Sequence, residues 1–171
     1  MRSSSVRLLL AALALLAFLG CDQATKALAR DALASSPPVS LLGGAVRFQY
    51  AENPGAFLSL GAGLSPQWRF LLGVVFSGVA LAALAIFAAH SAQLSTAQRL
   101  GLGLVVAGGL GNLIDRLAND GRVVDFISVG IGSLRTGIFN VADMAITAGV
   151  LAAMVAGWKR SSRESVPPAG T

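Results

Sequence analysis

Residues 138–158 read IFNVADMAITAGVLAAMVAGW, a run of 21 residues with a single acid, Asp143, inside it. About 20 predominantly apolar residues are enough for a helix to cross the hydrocarbon core of a bilayer. The run predicts a membrane-spanning helix and makes Asp143 its anomaly. With the helix starting at Ile138, Asp143 lies about 8 Å inside it. Asn140 is three residues earlier and Thr147 four later, so all three share one helix face. An asparagine alone would read as interhelical hydrogen-bonding glue. An acid inside a span is costly unless it meets a polar cavity, so a functional reading is the stronger one for Asp143.

The rest of the chain also asks for a bilayer as solvent. Its 171 residues are 54% hydrophobic and 12% charged, with a mean hydropathy of +0.70. Soluble domains carry about 25% charged residues. Three further spans are predicted at about 8–29, 70–89 and 100–116. The fold class expected is an all-α integral membrane protein: one four-helix domain over 1–160 and a disordered polar tail over 161–171. The formal charge is +5, but Lys and Arg are scattered as flanks of the spans, which argues against nucleic acid as a partner. Cys21 is the only cysteine and His90 the only histidine, so neither an intrachain disulfide nor a zinc cluster is expected. Nothing suggests a metal or an organic cofactor.

Four spans put both termini on one side. Arg2 and Arg7 before the first span, with Lys159, Arg160 and Arg163 after the last, favour the cytoplasmic side. Between the first two spans, Val46, Phe48 and Tyr50 alternate with Arg47, Gln49 and Ala51, the period of a half-exposed strand. Glu52-Asn53-Pro54-Gly55 reads as a turn, with 56–60 as the returning strand. A small β element over about 39–62 is expected on the outer membrane surface. Earlier, Leu19-Gly20-Cys21 resembles the end of a lipoprotein leader. The Leu/Ala pattern runs past it to Ala29, however, so the helix is expected to be retained, with Cys21 a small buried apolar residue.

The third span carries a polar face of its own. Gly108, Asn112, Asp115 and Arg116 fall on one side of a helix. Gly103, Ala107 and Gly111 make a ridge of small residues that would admit a neighbouring helix. Asp115 and Arg116 read equally as a charge pair at the headgroups or as part of a site. Asp125 follows in RVVDFISVG, too apolar for a free loop. That segment is expected to pack at the membrane surface, bringing Asp125 level with Asp143. Lys26, four residues after Asp22, is placed to pair with it.

Two carboxylates in a partly dry site suggest one chemistry. Like charges a few ångströms apart do not both ionise cheaply, so one keeps its proton. The ionised member can draw a proton from a water that attacks a carbonyl, while the protonated one polarises the carbonyl oxygen. No G-x-S-x-G elbow is present, and no lysine is free to activate a serine.

Together the motifs resemble the lipoprotein signal peptidase (signal peptidase II) family. Asp22-Gln23-Ala24-Thr25-Lys26 is similar to its D-Q-x-T-K, and Asn53-Pro54-Gly55-Ala56-Phe57 to its N-x-G-A-A-F. Gly108 to Arg116 is similar to G-G-A-x-G-N-x-x-D-R, Val124-Asp125-Phe126 to V-D-F, and Phe139 to Asp143 to F-N-x-A-D. The chain departs in having one Ala before Phe57, Gly109 where the family has Ala, and Ala107 at the family's first Gly. The resemblance implies an aspartic endopeptidase with Asp125 and Asp143 as the catalytic pair. It implies that Asn112, Arg116 and Asn140 support or line the site, with Asp22, Lys26, Asn53, Gly55 and Asp115 beside it. It further implies an outer-facing site in the bacterial inner membrane and lipid-modified prolipoproteins as substrates; a monomer among membrane lipid is expected. A transporter using its intramembrane acids is the alternative, but no span is broken by proline and no two-fold repeat is visible.

Overall fold

The computed structural model describes residues 2–55 and 63–164. Among these residues, four helices are long and apolar enough to cross a membrane. They are α1 (Arg2–Leu33), α2 (Pro66–His90), α3 (Thr96–Ala118) and α4 (Val141–Glu164). Most of their surface faces outward: Phe76, Val79, Ile86, Leu151 and Met154 are all more than half exposed, as expected where lipid replaces water. α1 runs without a break through Cys21. Cys21 itself is exposed, not buried as expected. A helix with one packed face sends only one residue in three or four inward, and here Asp22, Lys26 and Ala29 take those positions. The expected returning strand at 56–60 lies outside the described residues, as does the tail from 165 onward.

α3 and α4 make the most extensive helix contact, and glycine makes it close. A Cβ on Gly101 would stand 2.6 Å from the Gly149 carbonyl oxygen, and one on Gly108 would collide with the Ala142 carbonyl oxygen. Of the predicted ridge, Gly103 faces open space, while Ala107 and Gly111 are buried as expected. Gly111 does face inward, where a Cβ would come within 2.6 Å of the Asp22 carboxylate. Gly109 abuts Leu81 of α2.

The β element is larger than expected. β1 (Val39–Leu41), β2 (Val46–Asn53), β3 (Val123–Ile131) and β4 (Leu134–Arg135) form one antiparallel sheet in that order. The segment expected to lie at the membrane surface is β3, a β-branched strand paired with β2 so that Ala51 faces Asp125. A two-residue turn, with Gly132 at φ +59°, folds β4 back on β3. The register shifts between Phe48 and Ala51, an irregularity of the kind that re-aims side chains beside sites.

α4 starts at Val141, not Ile138. The reason is the sheet. Phe139 bridges Ile127: its carbonyl oxygen accepts from the Phe126 and Ile127 N–H groups at 3.0 and 2.9 Å, and its own N–H donates to the Ile127 carbonyl at 2.8 Å. Extended pairing holds the residues that a helix-only reading assigns to the span. Asp143 is therefore in the first helical turn, and Thr147, expected on its face, is exposed.

Candidate active site

Asn140 is the junction. Its side-chain oxygen accepts from the Asp143 N–H at 3.0 Å, and its own N–H donates to the Asp143 carboxylate at 3.3 Å. This is the reciprocal pattern of a capping box, with asparagine as N-cap and the acid three residues on. Asp143 thus satisfies a helix terminus, and the N-terminal dipole of α4 favours its charge. The Asn140 amide donates at 2.7 Å to the Asp125 carboxylate. One fully buried residue thereby touches both acids. The bridge between Phe139 and β3 is what brings strand and helix start together.

A second amide fixes the far side of Asp143. The Asn112 NH2 donates to Asp143 at 2.8 Å, while its oxygen accepts from Lys26 at 3.1 Å and from Asn140 at 3.1 Å. Two donors on the oxygen leave the amide no choice of orientation. Asn53 is held in the same way. Its oxygen accepts from the Gly55 N–H at 2.9 Å, which turns its NH2 to Asp125 at 3.1 Å. The Gly55 carbonyl in turn accepts from Arg116 at 3.1 Å.

Beneath these lies a buried ion triplet. The Lys26 ammonium meets Asp22 at 2.8 Å and Asp115 at 3.1 Å, with all three side chains at most 3% exposed. Asp115 pairs with the buried Lys26 and not with its neighbour Arg116, so the charge pair expected within 115–116 is not formed. Each acid also binds a backbone N–H at the site: Asp22 that of Ala142 at 3.0 Å, Asp115 that of Val124 at 2.9 Å. One lysine thus ties α1 and α3 to the start of α4 and the start of β3. Sequence reasoning missed Gln23, whose amide donates to Asp115 at 2.9 Å and to the Gly111 carbonyl at 3.2 Å. Its signal was its place inside the one polar break of an apolar helix.

The electrostatics of Asp125 follow from its place. Burial pushes its carboxyl up to about 6, and the Asp143 charge adds to the rise. Donors from Asn53 and Asn140, and the Lys26 charge, oppose it. A carboxyl titrating there can hold a proton or release it near neutral pH, as acid–base work requires.

All ten predicted site residues fall in this one cluster at one end of the bundle. Four apolar helices beside a small sheet, around a buried polar centre, define a multi-pass membrane protein by architecture. A family model described as Signal peptidase (SPase) II matches residues 14–159, and the chain belongs to that family of proteases. It is 40% identical over 131 residues to the lipoprotein signal peptidase of Desulforapulum autotrophicum, covering 76% of this chain and 80% of that protein. It is 35% identical to the lipoprotein signal peptidase of Xanthomonas axonopodis pv. citri over 98% of this chain and 94% of that one. Some relatives are longer, and the match spans 61% of one of them. A bacterial membrane enzyme solved by the in meso method at 2.3 Å superposes with a TM-score of 0.78 at 27% identity, over 94% of each chain.

Proposed function

We propose that this chain removes the signal peptide from diacylglyceryl-modified prolipoproteins, cutting on the amino side of the lipidated cysteine. Asp125 and Asp143 share one proton. The ionised member takes a proton from water, and the water oxygen adds to the scissile carbonyl carbon. The protonated member donates to the carbonyl oxygen as it becomes tetrahedral. The C–N bond then breaks, the nitrogen takes a proton from the pair, and the leader departs as a carboxylic acid. Asn112, Asn140 and Asn53 hold the two carboxylates facing the substrate, and Arg116 fixes the Gly55 loop beside them.

The observation that carries the reading is the Asn140 junction, where one buried asparagine binds Asp125 and Asp143 at once. The flanking Arg2, Arg7, Lys159, Arg160 and Arg163 support cytoplasmic termini in the inner membrane, with the site near the outer face. The test uses purified protein in lipid with a diacylglyceryl-modified prolipoprotein. Asp125→Asn and Asp143→Asn are expected to stop leader release while the protein still inserts. Normal cleavage by Asp143→Asn would overturn the reading.

A further inference from the structure

Where the first turn of α2 meets the last turn of α3 there is a cavity of about 300 Å³. Pro66, Arg69 and Phe70 line it from one side; Arg116, Leu117, Asp120 and Gly121 line it from the other. It holds both signs of charge, Arg69 and Arg116 against Asp120, and Asp120 also feels the charge of Arg122. Among the described residues, the Arg69 and Asp120 side chains make no hydrogen bond or ion pair. Arg122, the nearest cation in sequence to Asp120, is tied to Glu52 at 2.8 Å. Arg116 spends two of its donors on the Asn112 and Gly55 carbonyls at 3.4 and 3.1 Å. A guanidinium has five, so some remain.

The position of the cavity narrows its ligand. It sits at the end of two membrane-crossing helices, where the headgroup layer lies. Phe70 and Leu117 beside it are 54% and 64% exposed, so an apolar path leads from the cavity down the bundle surface. Two cations and one anion suit a zwitterion. The C-terminal carbonyls of α3 add to the pull on a cation near Asp120.

We propose that this cavity binds the phosphoethanolamine headgroup of a bilayer lipid, with Arg69 and Arg116 on the phosphate and Asp120 on the primary ammonium. A singly anionic headgroup without an ammonium leaves Asp120 unanswered. A choline headgroup carries no N–H to donate to it. The acyl chains run along Phe70 and Leu117 toward the bilayer centre. Arg116 is shared with the candidate active site, but the proposal does not rest on the proteolytic reading, because its ligand is a phospholipid and its readout is binding.

The test is native mass spectrometry of the full chain released from nanodiscs holding equal amounts of phosphatidylethanolamine, phosphatidylcholine and phosphatidylglycerol. Retention of the ethanolamine lipid over the other two by roughly fivefold is expected, the equivalent of one well-placed charge. Arg69→Gln removes retention of all three, and Arg69→Lys keeps part of it. Asp120→Asn abolishes only the preference for ethanolamine. Both positions are partly or fully exposed, and the thermal transition of each variant reports its fold. Equal retention of the three lipids, or a preference for phosphatidylglycerol, overturns the proposal. Displacement by soluble glycerophosphoethanolamine assigns the cavity to a free headgroup and overturns the lipid. Displacement by a lipidated leader peptide assigns the cavity to the substrate path and overturns it as well.

Discussion

Lys26 and Arg99 are both cations that tie helices together, at opposite ends of the bundle. At the site end, Lys26 meets two carboxylates and an amide, and those carboxylates go on to bind backbone at α4 and β3. At the far end, the Arg99 guanidinium donates to the Ala88, Ala89 and Ser91 carbonyls, closing the last turn of α2. Ser95 and Gln98 form a capping box there, and packing between α3 and α4 rests on Gly101 and Gly149. At the far end, Arg99, Ser95 and Gln98 satisfy helix termini. The site end buries charge well beyond that demand, and the surplus is what orients Asn112 toward Asp143.

That contrast can be broken experimentally, and the largest effect belongs to the acids. Asp125→Asn and Asp143→Asn are expected to lower kcat by about 10²–10⁴-fold or more, measured as leader release in proteoliposomes. Next comes Lys26→Met, which leaves Asp22 and Asp115 buried without their cation. It should cost about 3–5 kcal/mol, read as a fall in thermal transition, and reduce cleavage too. An intact transition would mean that the triplet is not what joins the helices. Gly108→Ala should cost about 1–3 kcal/mol, because the methyl would meet the Ala142 carbonyl and stand 2.8 Å from Ile146. Gly103→Ala, which meets nothing within 4 Å, should be neutral or stabilising.

The smaller effects are a shift of pH and a lost cap. Asp125 releases its proton around pH 6, so activity that needs one shared proton falls as pH rises through that region. Asn53 donates to Asp125 and favours its ionised form. Asn53→Ala therefore raises the pKa and moves the alkaline limb of the kcat/KM profile upward; a downward move would contradict the assignment. Ser95→Ala at the far end should cost about 1 kcal/mol and leave cleavage unchanged.

The spans were legible because a bilayer imposes a length and an apolar composition that can be counted along the chain. The pairing of Lys26 with Asp22 was legible because four residues is a helical repeat. What escaped was whatever depends on partners far away in sequence. β3 pairs Asp125 with Ala51, and no local pattern announces a neighbour so distant. The same pairing reset the start of α4, because Phe139 is claimed by Ile127. Of the small-residue ridge on α3, Gly103 was misassigned for a related reason: spacing identifies a face, but only the docked neighbours show how far along the helix that face is used.

The Asn140 cap has one more consequence. Asn140, just before the last helix, binds both acids, and the pairing of Phe139 with β3 sets its place. If the two acids do the cutting, a copy whose final helix has not yet docked under the sheet has its blades apart. Assembly then acts as the safety catch of a protease that must be built among the very membrane proteins it could damage.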